Sequence, residues 1–416
     1  MIKSRFGYTL LLCALLPQAL LHLLWRARRQ PAYLEHIAER FGRYAVTAER
    51  PLIWVHAVSV GETRAAEPLI DALQKKYPQH RILLTHMTPT GRETGEALFG
   101  GRVLRCYLPY DFPFAVARFL DHFKPVCGIL LETEIWPNLI HACRARNIPL
   151  YLVNARLSEK SFRRYLRFAA LAAASLRELC GIAAQSERDA GHLHALGATT
   201  VQATGNLKFD IVPDPELVAR GRAWRDAYDR TRPVLLAAST REGEEALLMQ
   251  ALRDIDIPQL LVVMVPRHPQ RFDEVAALLE REQIPFQRRS AGQPIAAATR
   301  VVLGDSMGEM TAYYSACDVA IIGGSLLPFG AQNLLEACAV GCPVIIGPSS
   351  YNFAEATELA VAAGAAQQVS DARAALTAAC KLFDDRARMQ SMAQAGLEFI
   401  RGHQGATART LELIHF

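Results

Sequence analysis

The chain has no C-x-x-C pair, no zinc-finger spacing, no long Lys/Arg tract and no G-x-x-x-x-G-K-[ST] phosphate loop. Its nine cysteines are scattered, which argues against a disulfide framework or a cysteine-held metal and for a reducing compartment. Cys338 and Cys342, one helical turn apart, read as small apolar residues. No His/Asp cluster stands at metal-ligand spacing, so no metal site is expected. A net charge of +5 over 416 residues is too small to suggest a nucleic-acid partner. No G-x-G-x-x-G opens the chain, which disfavours a dinucleotide oxidoreductase. One further absence is local: residues 6–25, "FGYTLLLCALLPQALLHLLW", contain no Asp, Glu, Lys or Arg.

That stretch is about as long, at ~1.5 Å per residue, as the hydrocarbon core of a bilayer is thick. Trp25 closes it, with Arg26, Arg28 and Arg29 after it and Lys3 and Arg5 on the other side. "WRARRQ" offers no small-residue cleavage site, so a removed signal peptide is disfavoured. Residues 1–30 are therefore expected to be an N-terminal membrane anchor, a single pass that keeps the large C-terminal part cytoplasmic by the positive-inside bias. Pro17, Gln18 and His22 leave an interfacial helix as the alternative.

Core-forming residues are plentiful: 51% of the chain is hydrophobic, enough for two domains. Continuous apolar runs at 52–56, 82–86, 103–107, 126–131, 150–153, 181–184 and 200–203 predict strands buried on both faces. The pattern repeats at 234–239, 261–266, 300–303, 319–323 and 343–347. Strands alternating with helical stretches predict an α/β protein of two Rossmann-like, doubly wound domains. The seam is placed where Pro213 and Pro215 interrupt "FDIVPDPELV", giving domains 31–212 and 213–416, with the last helix free to pack back on the first domain.

In such sheets ligands gather on the loops that leave the C-terminal ends of the strands. The first loop is "HAVSVGE". Ser59 and Glu62 have the spacing of a capping box opening a helix over 63–73. Glu62 at a helix start is equally placed as a general base. In "GILLETEIWPNL", Glu132 and Glu134 are two residues apart; in an extended segment they would point to opposite sides, which argues against a paired dyad and leaves either a polar strand end or an active-site role. In "VPRHPQRF", Arg267 and His268 are held between two prolines, where a guanidinium suits a phosphate. In "IIGGSLLPFGAQNLLEA", glycines precede a helix expected near Gln332 and Asn333, where backbone N–H groups can meet a phosphate. Glu336 there fits a ribose diol or the helix dipole. Finally, Arg156, Lys160, Arg163, Arg164 and Arg167 fall on one helical face, either solvated or facing anionic lipid.

Taken together, "HAVSVGE", "LETEIWPN", "NARLSEKSFRRY", "GNLKFD", "PRHPQRF", "GDSMGEM" and "GGSLLPFGAQNLLE" resemble, in order, the 3-deoxy-D-manno-octulosonic acid (Kdo) transferases of lipopolysaccharide synthesis. The resemblance runs over most of the chain. It implies the glycosyltransferase B fold and transfer of Kdo from CMP-Kdo to a lipid A precursor (lipid IVA) at the cytoplasmic face of the inner membrane. It further implies inversion at the anomeric carbon, no metal and no cofactor beyond the donor substrate. By motif, Glu62 is similar to the family's general base, and Glu132 and Lys208 to residues that stabilise the transition state. Pro266, Arg267, Met307, Gly308, Glu309, Asn333, Leu334, Leu335 and Glu336 match CMP-contacting segments. The chain departs from "GGHNPLE", common among relatives, by having "GAQNLLE", with Gln332 and Leu334. Two other functions fit the bare residues: a membrane-anchored transferase with another nucleotide-sugar donor, and a non-catalytic sensor of nucleotide or anionic lipid.

Overall fold

The apolar runs become parallel strands, whose two faces are covered in sheets of this kind. The computed structural model describes residues 4–28, 30–229, 231–253, 257 and 259–416. Lys3 and Arg29, two of the basic residues flanking the apolar stretch, lie outside the described residues. The chain divides into two compact units, Met1–Asp210 with His403–Phe416, and Ile211–Gly402.

The first unit holds seven strands: β1 (Leu52–His56), β2 (Arg81–His86), β3 (Val103–Tyr107), β4 (Cys127–Leu131), β5 (Leu150–Ala155), β6 (Gly181–Ala184) and β7 (Val201–Ala203). They form one parallel sheet in the order β3-β2-β1-β4-β5-β6-β7. The central strands β1 and β4 are buried along their whole length. Trp54 packs edge-on to Phe119 at 5.0 Å and donates its indole N–H to Thr85 at 2.8 Å. Chain connections diverge on either side of the β1–β4 pair. That is the topological switch point, the place at the strand ends where ligands gather in sheets of this kind.

The C-terminal helix Ala406–Leu413 belongs to this first unit. Asp210 accepts from the backbone N–H of Gly405 at 2.7 Å and of Thr407 at 2.5 Å, and Phe209 stacks on His403 at 4.8 Å.

The second unit holds β8 (Val234–Thr240), β9 (Leu261–Pro266), β10 (Phe286–Arg288), β11 (Val301–Leu303), β12 (Val319–Ile322), β13 (Val344–Ile346) and β14 (Ala366–Gln368). Their order is β10-β11-β9-β8-β12-β13-β14, again all parallel. Its switch point falls between β8 and β12. Two strands here carry no sequence signal. β10 and β14 are three-residue edges reading "FQR" and "AQQ", with no buried apolar run to betray them.

Helix boundaries differ from expectation where proline and loop chemistry intervene. The helix expected over 63–73 is two helices, Val60–Ala65 and Glu67–Lys76, with Pro68 in the first turn of the second. The five-cation face is also shorter than expected. Its helix is Glu159–Leu166, so Arg156 precedes it and Arg167 caps it, leaving Lys160, Arg163 and Arg164 within.

Candidate active site

In the first unit, chemistry gathers at the C-terminal ends of the strands beside the switch point. Leaving β1, the chain passes Ala57, Val58 and Ser59 and enters Val60–Ala65, which places Glu62 at the third helical position. The expected capping box does not form: the Ser59 side chain makes no bond to the helix's free amides. Instead the Ser59 hydroxyl donates to Glu62 Oε1 at 2.9 Å, and the Val58 N–H donates to Oε2 at 2.8 Å. The residue is only 8% exposed. Burial pushes its carboxyl up, the Val58 amide opposes this, and the Glu132 charge adds to the rise, leaving it at about 7. A carboxylate half-ionised near neutrality suits proton transfer.

Glu132 and Glu134 leave β4, but the segment is bent, not extended, with Glu132 in the left-handed region at φ 58°. The extended geometry expected of this segment is therefore absent. Both carboxylates raise the proton affinity of Glu62. Glu134 accepts from the Trp136 indole N–H at 2.5 Å, and burial pushes its carboxyl up as well. Glu132 is met by Lys208, whose ammonium lies 3.5 Å from Oε1. The site thus gathers three carboxylates and one ammonium.

Lys208 is aimed by residues the sequence does not single out. Asn206 Oδ1 accepts from the Lys208 N–H at 3.1 Å, and Asn154 Oδ1 accepts from the Leu207 N–H at 3.0 Å. Gln185 Oε1 accepts from Asn206 Nδ2 at 3.1 Å while its own amide donates to the Asn154 carbonyl at 2.9 Å. Asn154 is fully buried at φ 52°, a conformation that asparagine tolerates better than most residues. That polar signal in "VNARL" is overshadowed by the arginines after it.

In the second unit, the glycine loop after β12 is built differently from expectation. Two of its amides, those of Gly324 and Leu326, turn inward to a carboxylate of the protein. Glu244, 1% exposed, accepts from the Gly324 N–H at 2.6 Å, the Leu326 N–H at 3.0 Å and the Arg241 N–H at 2.8 Å. A protein carboxylate already occupies the anion position. Gly323 is required because a Cβ there would stand 2.3 Å from the Ser239 carbonyl oxygen, and Gly324 adopts φ 69°. Next door, Glu245 accepts from Arg271 at 2.7 and 3.1 Å and from Thr240 at 2.6 Å, all buried. The signal missed is "STREGEE", two glutamates directly after a glycine at a strand-to-helix turn.

Side-chain charge for an anion stands close by. Arg267 donates its Nε–H to Gln332 Oε1 at 3.1 Å, so the residue that departs from the relatives' histidine orients this guanidinium. Arg241 lies over the Phe329 ring at 4.5 Å. Burial lowers the His268 pKa, and the Arg241 and Arg267 charges lower it further. Pro266 ends β9 and is buried. Met307 is 55% exposed, and Gly308 turns at φ 76°. Glu309 is held by Arg220 at 2.7 Å and Arg289 at 3.4 Å. Asn333 donates to Glu336 Oε1 at 3.0 Å and accepts from the Leu335 N–H at 3.0 Å. Leu334 and Leu335 have fully buried side chains, so only their backbone is available to a ligand. The helix starts at Leu335, later than expected, with Leu334 at its N-cap position and the Asn333 side chain accepting from the Leu335 N–H.

A family model described as 3-deoxy-D-manno-octulosonic-acid transferase (kdotransferase) matches residues 35–211. The 3-deoxy-D-manno-octulosonic acid transferase of Bordetella pertussis is 45% identical, aligned over 99% of both chains. The chain belongs to the Kdo transferases. The Haemophilus influenzae member of that family is 38% identical over 99% of this chain and 98% of its own. Kdo transfer in lipopolysaccharide synthesis is thus the activity of this chain's family. Among solved structures, a UDP-GlcNAc 2-epimerase from Neisseria meningitidis matches with a TM-score of 0.55 at 17% identity, over 87% of this chain and 99% of that one. A glycosyltransferase from Rickettsia africae matches with a TM-score of 0.55 at 14% identity, over 88% and 98%. These two share the fold, the two-domain α/β type of the glycosyltransferase B class, as the sequence led us to expect.

Proposed function

We propose that this Kdo transferase moves Kdo from CMP-Kdo to a lipid A precursor, lipid IVA, with inversion at the anomeric carbon and Glu62 as general base. The observation that carries the reading is the Glu62 carboxylate: buried, oriented by two donors and holding its proton up to about pH 7. In the reaction an acceptor hydroxyl attacks C2 of Kdo and passes its proton to Glu62. The C2–oxygen bond to the phosphate breaks, and CMP leaves with the bonding electrons. Attack opposite the leaving group gives inversion.

The same residues account for the charges that develop. Positive charge grows at C2 as the bond to CMP stretches, which neighbouring carboxylates favour; Glu132 has that role here. Lys208 holds Glu132 and offers an ammonium to the acidic donor sugar. Negative charge grows on the phosphate, which Arg267 suits. Pro266, Met307, Gly308, Glu309 and Asn333 to Glu336 surround the cytidine and ribose, with Glu336 on the diol. The protein body stands on the cytoplasmic face of the inner membrane, where acceptor and donor meet. Incubating the chain with CMP-Kdo and lipid IVA tests the reading: CMP release should accompany a product heavier by Kdo residues in mass spectrometry. CMP release that does not depend on the acceptor, or no product, contradicts it.

A further inference from the structure

The N-terminal helix Arg5–Ala27 is long and apolar enough to cross a membrane. Yet it has a sheltered stripe: Thr9, Leu12, Leu16, Leu20, Leu23 and Ala27 are half-buried or buried while most of their neighbours are exposed. Their spacing of three and four residues is one face of a helix, continuous from end to end. At the far end from the body's entry point, Thr9 and the Asn138 side chain are hydrogen-bonded, at 2.9 and 3.3 Å. Asn138 is itself buried and fixed, its Nδ2 donating to the Asp111 carbonyl at 2.7 Å and its backbone N–H to the Asp111 carboxylate at 3.0 Å. From Thr9 to Ala27 the helix rises roughly 27 Å, close to the thickness of a hydrocarbon core. A helix crossing the bilayer would carry Thr9 to the opposite face, away from Asn138. The two arrangements exclude each other.

The remaining surface of the helix is apolar and uncovered. Leu10, Leu21, Leu24 and Trp25 are 55%, 67%, 52% and 50% exposed. Arg5, Arg26 and Arg28 at its ends are exposed, and the helix has no acidic residue. On the same unit, Leu166 and Phe168 are 46% and 40% exposed, next in sequence to exposed Arg164 and Arg167. Apolar side chains bordered by arginines match a leaflet of anionic lipid. A second copy of the chain would bring like charges together.

We propose that this helix lies in the plane of the membrane surface, docked along the first unit, with its N-terminus on the same side of the bilayer as the catalytic body. The inference replaces the expected single pass and is independent of the donor and of Glu62. Sealed membrane vesicles with the body outward, bearing the full chain with an N-terminal epitope tag, decide the topology. Added protease should remove the tag without detergent; a tag protected until detergent is added overturns the proposal. Purified full-length chain mixed with preformed vesicles decides the occupant. Binding should be at least tenfold tighter to phosphatidylcholine containing ~30% phosphatidylglycerol than to phosphatidylcholine alone, and the difference should shrink in high salt. Equal binding to both, or a dimer that forms in place of vesicle binding, overturns the assignment to an anionic leaflet.

Discussion

The Ser59 hydroxyl points at the Glu62 carboxylate, 2.9 Å away, and not at the amides of the helix it precedes. The pair therefore serves the carboxylate. Ser59 steadies the ionised form, opposing the burial that raises its proton affinity. Ser59→Ala should leave the helix intact and move the acid limb of kcat/KM upward by about one pH unit, the size of one hydrogen bond to a charged group. A pH profile of initial rates checks this. An unmoved limb with a lowered melting temperature would return Ser59 to a capping role.

Glu132 acts on Glu62 with the opposite sign. Its charge raises the Glu62 pKa, so Glu132→Gln should shift the acid limb downward while lowering kcat by roughly tenfold to a hundredfold. Lys208→Met should lower kcat by a similar factor, and Lys208→Arg should recover part of it because the cation is kept. Steady-state kinetics on either side of neutral pH separates the two effects.

The raised carboxyl also makes stability depend on pH. Between about 4.5 and 7 the folded chain keeps on Glu62 a proton that the unfolded chain has released. The contribution of this group is thus full below the lower value and is lost as the pH rises through about 7. Glu62→Gln cannot ionise, so its melting temperature should fall less between about pH 5 and about pH 8 than that of the native chain. Thermal scans at the two pH values show it; parallel losses in both proteins would contradict the assignment.

Much of this is legible in the residues and some is not. Most strands announce themselves as apolar runs because central parallel strands are covered on both faces, whereas β10 and β14 lie at an edge and carry polar residues. Glu62, Glu132 and Lys208 are visible as polar residues placed at strand ends. Their supports are not: Asn154, Gln185 and Asn206 act through hydrogen bonds between strands far apart in sequence. Glu244 is hidden for a different reason. Glycines ahead of a helix suggest an anion from outside, and only the fold reveals that the anion is internal.

That internal anion has its own consequence. Glu244→Ala would leave three amides without their acceptor, the Gly324 N–H buried and those of Leu326 and Arg241 half-buried, at about 1–3 kcal/mol for the buried one and less for the others. The second unit should melt earlier, and the KM for the donor should rise more than kcat falls, because the loop beside Arg267 and Gln332 loses its support. Glu244→Gln keeps one acceptor oxygen and should lie between the two. Calorimetry with donor-concentration series distinguishes this from a purely catalytic defect, which would leave melting unchanged.

The most direct test concerns the proton itself. Glu62→Gln keeps an oxygen for the Val58 amide and an amide in place of the carboxylate, so the fold and the affinity for CMP should be preserved. Turnover of CMP-Kdo with lipid IVA, measured at about pH 8 with CMP binding by calorimetry alongside, should fall by about 10²–10⁴-fold at unchanged affinity. Turnover within a few-fold of the native chain would contradict the account.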